Sequence, residues 1–90
     1  MLIANALHYV RDQAGLIRGS QAAMRSRPRF LVIEYDTDRA NQWVPYPVSR
    51  RALERLCADT GYDSITWLGS RPSIYRRAPI YAAMIERPPS

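Results

Sequence analysis

The segment from Arg29 to Tyr35 constrains the fold of this chain most, because Phe30-Leu31-Val32-Ile33 is an unbroken apolar run. Branched and aromatic residues in a short run favour a strand over a helix. A strand without polar alternation is typical of a parallel sheet that is covered on both faces. Parallel strands need long, usually helical, connections. The run therefore predicts an α/β fold in which helices flank this strand in the sequence.

Signals for helices and for a further strand lie on both sides of that run. The stretch from Leu2 to Asn5 predicts a short buried strand. Asp12 is a candidate N-cap for a helix that Pro28 ends, and a second helix begins after Ser49 and stops at Gly61. Helical spacing predicts the inner faces of both helices: Leu16, Ile17, Ser20, Ala23 and Met24 in the first, and Leu53, Leu56, Cys57 and Thr60 in the second.

The C-terminal third predicts two more strands. Asp63 to Gly69 alternates weakly, with Ile65 and Trp67 on one side, and Pro79 to Glu86 forms the last strand. Residues 70–78 connect the two as a hairpin-like excursion. The resulting order is strand, helix, strand, helix, strand, strand. It predicts a right-handed parallel crossover followed by an antiparallel terminal pair.

Length and cysteine content limit the classes of protein to consider. A chain of 90 residues is one small domain with a thin stability margin. Cys57 is the only cysteine, so an intramolecular disulfide is impossible, which fits a reducing cytoplasm. The start of the sequence carries neither the basic region nor the cleavage site of a signal peptide, and no apolar stretch is long enough to span a membrane. We therefore expect a cytoplasmic protein.

All 13 basic residues are arginine, and the net charge is +5. A basic patch for nucleic acid is one interpretation, and a GC-rich coding bias that favours arginine is the other. No run of basic residues exceeds two, which favours the bias and argues against a nucleic-acid partner.

Two stretches place polar side chains after predicted strands. Asn5 and His8 follow the first strand, at the carboxyl edge of a parallel sheet, where open α/β sheets bind ligands. The alternative is that Asn5 caps a turn and that His8 is a satisfied surface residue. Because His8 is the only histidine, a cluster of histidines around a metal is excluded.

The second stretch runs from Glu34 to Ser49 and holds three acids, two prolines, Trp43 and Tyr46. Loops of this length in compact domains are usually functional. Its acids would bind an amine or orient a nucleophile, and its aromatic residues would line a pocket. Equally, it would be a solvated acidic turn whose aromatic residues cover the core.

Together these stretches resemble the C-terminal half of the class I S-adenosylmethionine-dependent methyltransferases of the bacterial small-molecule type. In that family strand four ends in a segment similar to Ala4-Asn5-Ala6-Leu7-His8, and strand five is similar to Arg29 to Asp36. A subset continues with segments similar to Arg39 to Ser49, to Thr60-Gly61-Tyr62, and to the closing strands Ser64 to Gly69 and Ile80 to Ile85. The likeness runs from Leu2 to Glu86. It departs from the family at Ser26-Arg27-Pro28, where a glycine pair is usual.

The resemblance implies both a fold and a function. Residues 1–90 would be one partial domain, half of a Rossmann-like fold, with a mixed four-stranded sheet in the spatial order one, two, four, three and two main helices. The function implied is that of the substrate-side half of a methyltransferase, inactive alone. Asn5, His8, Tyr35 and Trp43 would line the acceptor pocket. A non-catalytic homodimeric assembly module is the alternative.

The cofactor and the partners follow from the same resemblance. The family binds S-adenosylmethionine through a glycine-rich loop after strand one and an acid after strand two. This chain has four glycines and no Gly-x-Gly, so we expect it to bind no cofactor alone; a separately encoded N-terminal half would supply that site. The strand from Leu2 to Asn5 would then be an open edge, through which two copies are expected to pair as a homodimer. Contact between helices through Leu16, Ile17 and Met24 is the alternative.

Overall fold

The computed structural model describes residues 1–24, 28–72 and 78–87. Its strands are β1 (Leu2–Ala4), β2 (Arg29–Tyr35), β3 (Ser64–Arg71) and β4 (Ile80–Glu86), and its helices are α1 (Gln13–Gln21) and α2 (Arg50–Thr60). A short 3₁₀ turn, Leu7–Tyr9, is an addition to the predicted order of elements. Residues 25–27 and most of the predicted hairpin at residues 70–78 lie outside the described residues.

The four strands form one mixed sheet in the order β1-β2-β4-β3. β1 and β2 are parallel, with Ile3 opposite Val32. β4 is antiparallel to β2 on one side and to β3 on the other. The predicted order and directions are therefore confirmed. A register shift between Trp67 and Gly69 marks a bulge in β3.

Helix α1 begins where the sequence predicts but ends earlier. The Asp12 carboxylate accepts a hydrogen bond from the Gly15 N–H at 2.9 Å and caps the helix. The helix ends at Gln21, so the prediction that it reaches Pro28 is wrong. Gly15 and Gly19 lower its helix propensity, and i→i+3 backbone hydrogen bonds close its last turn.

Helix α2 has the ends that the sequence predicts. The Ser49 hydroxyl accepts a hydrogen bond from the Ala52 N–H at 3.1 Å. Gly61 stops the helix in a left-handed conformation, with φ of 82°, and its N–H donates to the Cys57 carbonyl.

The predicted inner faces of the helices are confirmed except in the last turn of α1. All four predicted residues of α2 are buried, as is Ile17 of α1. Leu16 and Met24 are half-buried against the core. Ala23 is exposed, because it lies beyond the end of α1.

Both helices contribute to a core on one side of the sheet, which we call the inner face. The strand residues in this core are Ile3, Phe30, Val32, Tyr81, Ala83 and Ile85. On the outer face, Leu31 and Ile33 of β2 are only half-buried. Among the described residues, the expectation that β2 is covered on both faces thus holds for the inner face alone. The fold is a two-layer α/β arrangement.

Candidate functional site

His8 and Glu34 form a buried pair beyond the carboxyl end of β1 and near that of β2. The Nδ1 atom of His8 lies 2.7 Å from Oε1 of Glu34, and the backbone N–H of His8 donates to Oε2 at 3.2 Å. His8 is 2% exposed and Glu34 is 0% exposed. One carboxylate therefore holds both the ring and the backbone of the same histidine.

The parallel strands bring these two residues together. Since β1 and β2 run in the same direction, their carboxyl ends lie at one edge of the sheet. Asn5, with φ of 51°, turns the chain after β1, and its N–H donates to the Ile33 carbonyl at 2.8 Å. The 3₁₀ turn then returns His8 towards the sheet. Glu34 reaches the inner face because it follows Val32 in the two-residue alternation of β2.

The pairing determines what the imidazole can do. A carboxylate accepts hydrogen bonds and donates none, so the neutral ring carries its proton on Nδ1. Nε2 then holds the ring's lone pair, and it is the atom through which a histidine can accept a proton. A carboxylate that orients a histidine in this way is found in general-base sites, and it equally fixes the turn after β1.

Asp36 and Asp38 accept hydrogen bonds from the N-terminus of helix α2 rather than from His8. Asp36 Oδ1 accepts a hydrogen bond from the Arg50 N–H at 2.9 Å. Asp38 Oδ1 accepts one from the Ser49 hydroxyl at 2.6 Å. Negative charge is favoured at a helix N-terminus, which explains both contacts. Of the three acids in this stretch, Glu34 is the one that contacts His8.

Gln13, the first residue of α1, forms hydrogen bonds both to the 3₁₀ turn that contains His8 and to the long loop, residues 36–49, that connects β2 to α2. Its side-chain N–H group donates to the Leu7 carbonyl at 3.1 Å and to the Tyr46 carbonyl at 2.9 Å. The Tyr46 N–H donates to the His8 carbonyl at 2.9 Å. Sequence analysis missed Gln13, because nothing local to α1 shows that its amide reaches another segment.

The structure brings three of the four predicted pocket residues together. The ring of Tyr35 lies 5.9 Å from the ring of His8, centroid to centroid, and Asn5 is exposed at the same sheet edge. Trp43 belongs to a separate turn, in which its N–H donates to the Asn41 side chain at 2.8 Å. Tyr9 is the exposed aromatic residue beside the pair, with its ring 4.2 Å from that of His8. Sequence analysis did not select Tyr9, although its position directly after the only histidine could have identified it as a neighbour of the site.

Tyr81 of β4 supports the site from the neighbouring strand. It lies opposite Glu34 in the sheet register, and its hydroxyl donates to the Val48 carbonyl at 2.7 Å. Burial, and then the negative charges of Glu34 and Asp36, raise the pKa of Tyr81. The hydroxyl therefore remains protonated and holds the end of the loop as a donor.

The described residues contain no glycine-rich loop of the kind through which the family that this chain resembles holds S-adenosylmethionine. The connections after β1 and β2, residues 5–12 and 36–49, have no glycine. Two of the glycines have local roles: Gly15 leaves room for the Asp12 cap and Gly61 ends α2. Among the residues that the structure describes, no group of three His, Cys, Asp or Glu side chains is placed to hold a metal ion. No helix there has the length and apolarity of a membrane span.

The fold defines the chain as a small α/β domain with a mixed four-stranded sheet and two helices. No model of a known protein family and no curated protein sequence matches it. The crystal structure of EvdMO1 has a similar fold, with a TM-score of 0.58 and 18% identity over 96% of this chain. The chain spans 20% of the length of EvdMO1. At this identity the likeness shows the fold alone.

Proposed function

We propose that this chain is the substrate-side part of a methyltransferase-like enzyme, in which His8 accepts the proton of the methyl acceptor. The observation that carries the proposal is the 2.7 Å contact between His8 Nδ1 and Glu34 Oε1. A positioned histidine whose second nitrogen is held by a carboxylate is suited to general-base catalysis. As the proton moves to Nε2, the acceptor oxygen or nitrogen becomes the stronger nucleophile.

Two further features support the proposal. The strand order β1-β2-β4-β3 is the order that the resemblance implies for the last four strands of the family. The His8–Glu34 pair also lies at the carboxyl edge of parallel strands, where α/β sheets bind substrates. Because the resemblance assigns the cofactor-binding loop to the other half of the family fold, the proposal gives this chain the acceptor side of the reaction only.

The test is a titration of the isotope-labelled chain with three acceptor classes, a phenol, a methyl glycoside and a primary amine, followed by nuclear magnetic resonance. We expect at least one class to shift the signals of Asn5, His8 and Tyr35. Glu34→Gln should weaken that response, whereas Glu54→Gln, a matched change at an exposed position of α2, should not. If no class shifts these three signals, the proposal is wrong.

A non-catalytic assembly module is the second candidate function. The observation that favours it is the half-buried apolar outer face of the sheet, because large exposed apolar patches mark interaction sites. In this case the His8–Glu34 pair would only hold the turn after β1. The acceptor titration separates the two candidates, since a purely structural pair gives no response at His8.

A further inference from the structure

The outer face of the sheet has the composition of a protein interface. Its centre is apolar, and its charged side chains lie at the two ends of the strands. The apolar residues that the register places there include Leu2, Leu31, Ile33, Tyr35, Ile80 and Met84. Arg29 and Glu86 lie side by side at one end, and Arg71 lies at the other. Leu2, on this face, is 61% exposed.

We propose that a second copy of this chain covers the face, with the two outer faces packed together about a two-fold axis parallel to the strands. The proposal shares Tyr35 with the proposed acceptor site, since Tyr35 lies on the outer face of β2 and its ring is 5.9 Å from that of His8. Glu34 points to the inner face, so Glu34→Gln tests the acceptor site without touching the proposed interface. That interface is the part of the sheet that the described helices leave uncovered.

Charge complementarity favours this axis. Arg29 of β2 and Glu86 of β4 are register partners on adjacent strands. A two-fold axis that runs between β2 and β4 places each β2 over the β4 of the other copy, at the same height. Arg29 then faces the partner's Glu86, and Glu86 faces the partner's Arg29. Aligned packed sheets cross at about 30°, which moves the ends of facing strands apart. Both side chains are long enough to reach each other across that offset.

The shape of the face agrees with the same axis. A cavity of about 590 Å³ lies where β3 and β4 meet near Arg71, and its lining includes Ile80 and Ala82 of β4. The axis places the β2 strand of the other copy over β4, and its β1 strand over β3. The partner's Ile33 and Tyr35 therefore face Ala82 and Ile80, and large side chains seated in a depression are typical of interface anchors.

Size decides between this arrangement and its alternatives. The strands β1, β2, β3 and β4 are 3, 7, 8 and 7 residues long. At about 4.8 Å between strands and about 3.4 Å per residue their face has a footprint of roughly 400 Å², whereas a standard interface buries about 800 Å² of accessible surface per partner. Only aligned packing that uses the whole face approaches that requirement. Edge pairing through β1 engages three residues. Helix contact through Leu16, Ile17 and Met24 offers little free surface, because Ile17 is fully buried and the other two are half-buried against the core of the same chain.

Sedimentation of the chain at about 100 µM tests the proposal, since a Kd of about 10 µM leaves most chains paired at that concentration. We expect a dimer. Leu2→Glu, at an exposed outer-face position, should dissociate it without unfolding the chain. A monomeric wild-type chain, or a Leu2→Glu chain that remains dimeric, would overturn the proposal.

A charge exchange tests the axis itself. Arg29→Glu and Glu86→Arg should each weaken the homodimer by at least about tenfold. An equimolar mixture of the two variants should regain dimers, because each copy then meets the opposite charge on the other. Contacts within one chain cannot produce this rescue. Failure of the mixture to dimerise would contradict the axis.

Ala4→Pro separates face packing from edge pairing. The Met1 carbonyl and the Asn5 N–H bond to β2, so by alternation the backbone groups of Ala4 point to the free edge. Proline there removes a donor from that edge only. Face packing predicts that the dimer persists, and dissociation would show that β1 edges pair instead.

Discussion

His8 and Glu34 are 26 positions apart in the sequence, yet their Nδ1 and Oε1 atoms lie 2.7 Å apart. The same carboxylate also accepts the backbone N–H of His8. Glu34 is thus a two-point acceptor for the turn that follows β1. Stability and the candidate chemistry both depend on it, which makes the pair the first target for substitution.

Glu34→Gln should destabilise the chain by about 1–3 kcal/mol. The single amide oxygen of glutamine cannot accept fully from both the ring and the backbone of His8, and a buried donor without an acceptor costs about that much. Glu54→Gln is the control, because Glu54 is exposed and surface changes stay within about 0.5 kcal/mol. Equal midpoints for the two variants in urea denaturation would contradict the prediction.

Gln13→Ala should loosen the long loop with a modest loss of stability, about 1–2 kcal/mol for its two hydrogen bonds. Hydrogen exchange at the Tyr46 amide is the sharper measurement, since that amide donates to His8. We expect faster exchange there than in the wild-type chain. Gln42→Ala, an exposed glutamine in the same loop, should leave the exchange unchanged.

Features that depend on adjacent residues could be predicted from the sequence. The ends of α2 are set by the Ser49 hydroxyl and by the conformational freedom of Gly61, and both effects act within one helical turn. The strand β2 is likewise encoded by its own apolar run. The spatial order of the sheet required the resemblance, because nothing local to β4 shows that it pairs with β2.

Features that depend on tertiary contact could not be predicted. The sequence placed Glu34 and His8 in two separate stretches, and only parallel pairing brings them together. Trp43 was expected in the pocket because aromatic residues often line one; the Asn41 side chain accepts from its backbone N–H, and Trp43 is 56% exposed. Helix α1 ends at Gln21, before Ala22-Ala23-Met24, although these three residues favour helix by propensity; the local sequence therefore gives no signal for this end.

Gly61→Ala should destabilise the chain by about 1 kcal/mol or more, because its φ of 82° is left-handed and strained for alanine. Gly19→Ala is the matched control. It lies inside α1 with no atom within 4 Å of an added Cβ, so it should stabilise the chain by about 0.5–1 kcal/mol. Thermal unfolding measures both, and changes of the same sign would contradict the assignment of the two glycines.

Cys57 should be a slow nucleophile in the folded chain. Burial, and then the negative charge of Glu54, raise the pKa of the Cys57 thiol to about 11, and the thiolate is the reactive form. Alkylation by iodoacetamide near pH 8 should therefore be far slower in the native chain than in guanidinium. Equal rates would show that the thiol is not buried.

The raised pKa of Cys57 also predicts a pH dependence of stability. In the unfolded chain the thiol ionises near pH 8.5, whereas in the folded chain it ionises near pH 11. The stabilising contribution is thus complete below about pH 8.5 and is lost as the pH rises towards 11. Cys57→Ala should show a smaller loss over this interval in denaturation curves, since it has no thiol to ionise.

S-adenosylmethionine should not bind the chain measurably in a calorimetric titration. A cofactor of this type needs a backbone that approaches it closely through glycine, and an acid at a strand end for its ribose hydroxyls. The connections after β1 and β2 have no glycine, and the two acids that follow β2 are already bound to the start of α2. Binding with a Kd near the micromolar range, about −8 kcal/mol, would contradict this and imply a site of another kind. Asp36→Asn would then show whether that site draws on the acids after β2, because the exchange keeps the side-chain oxygen that accepts from Arg50 and removes only the charge.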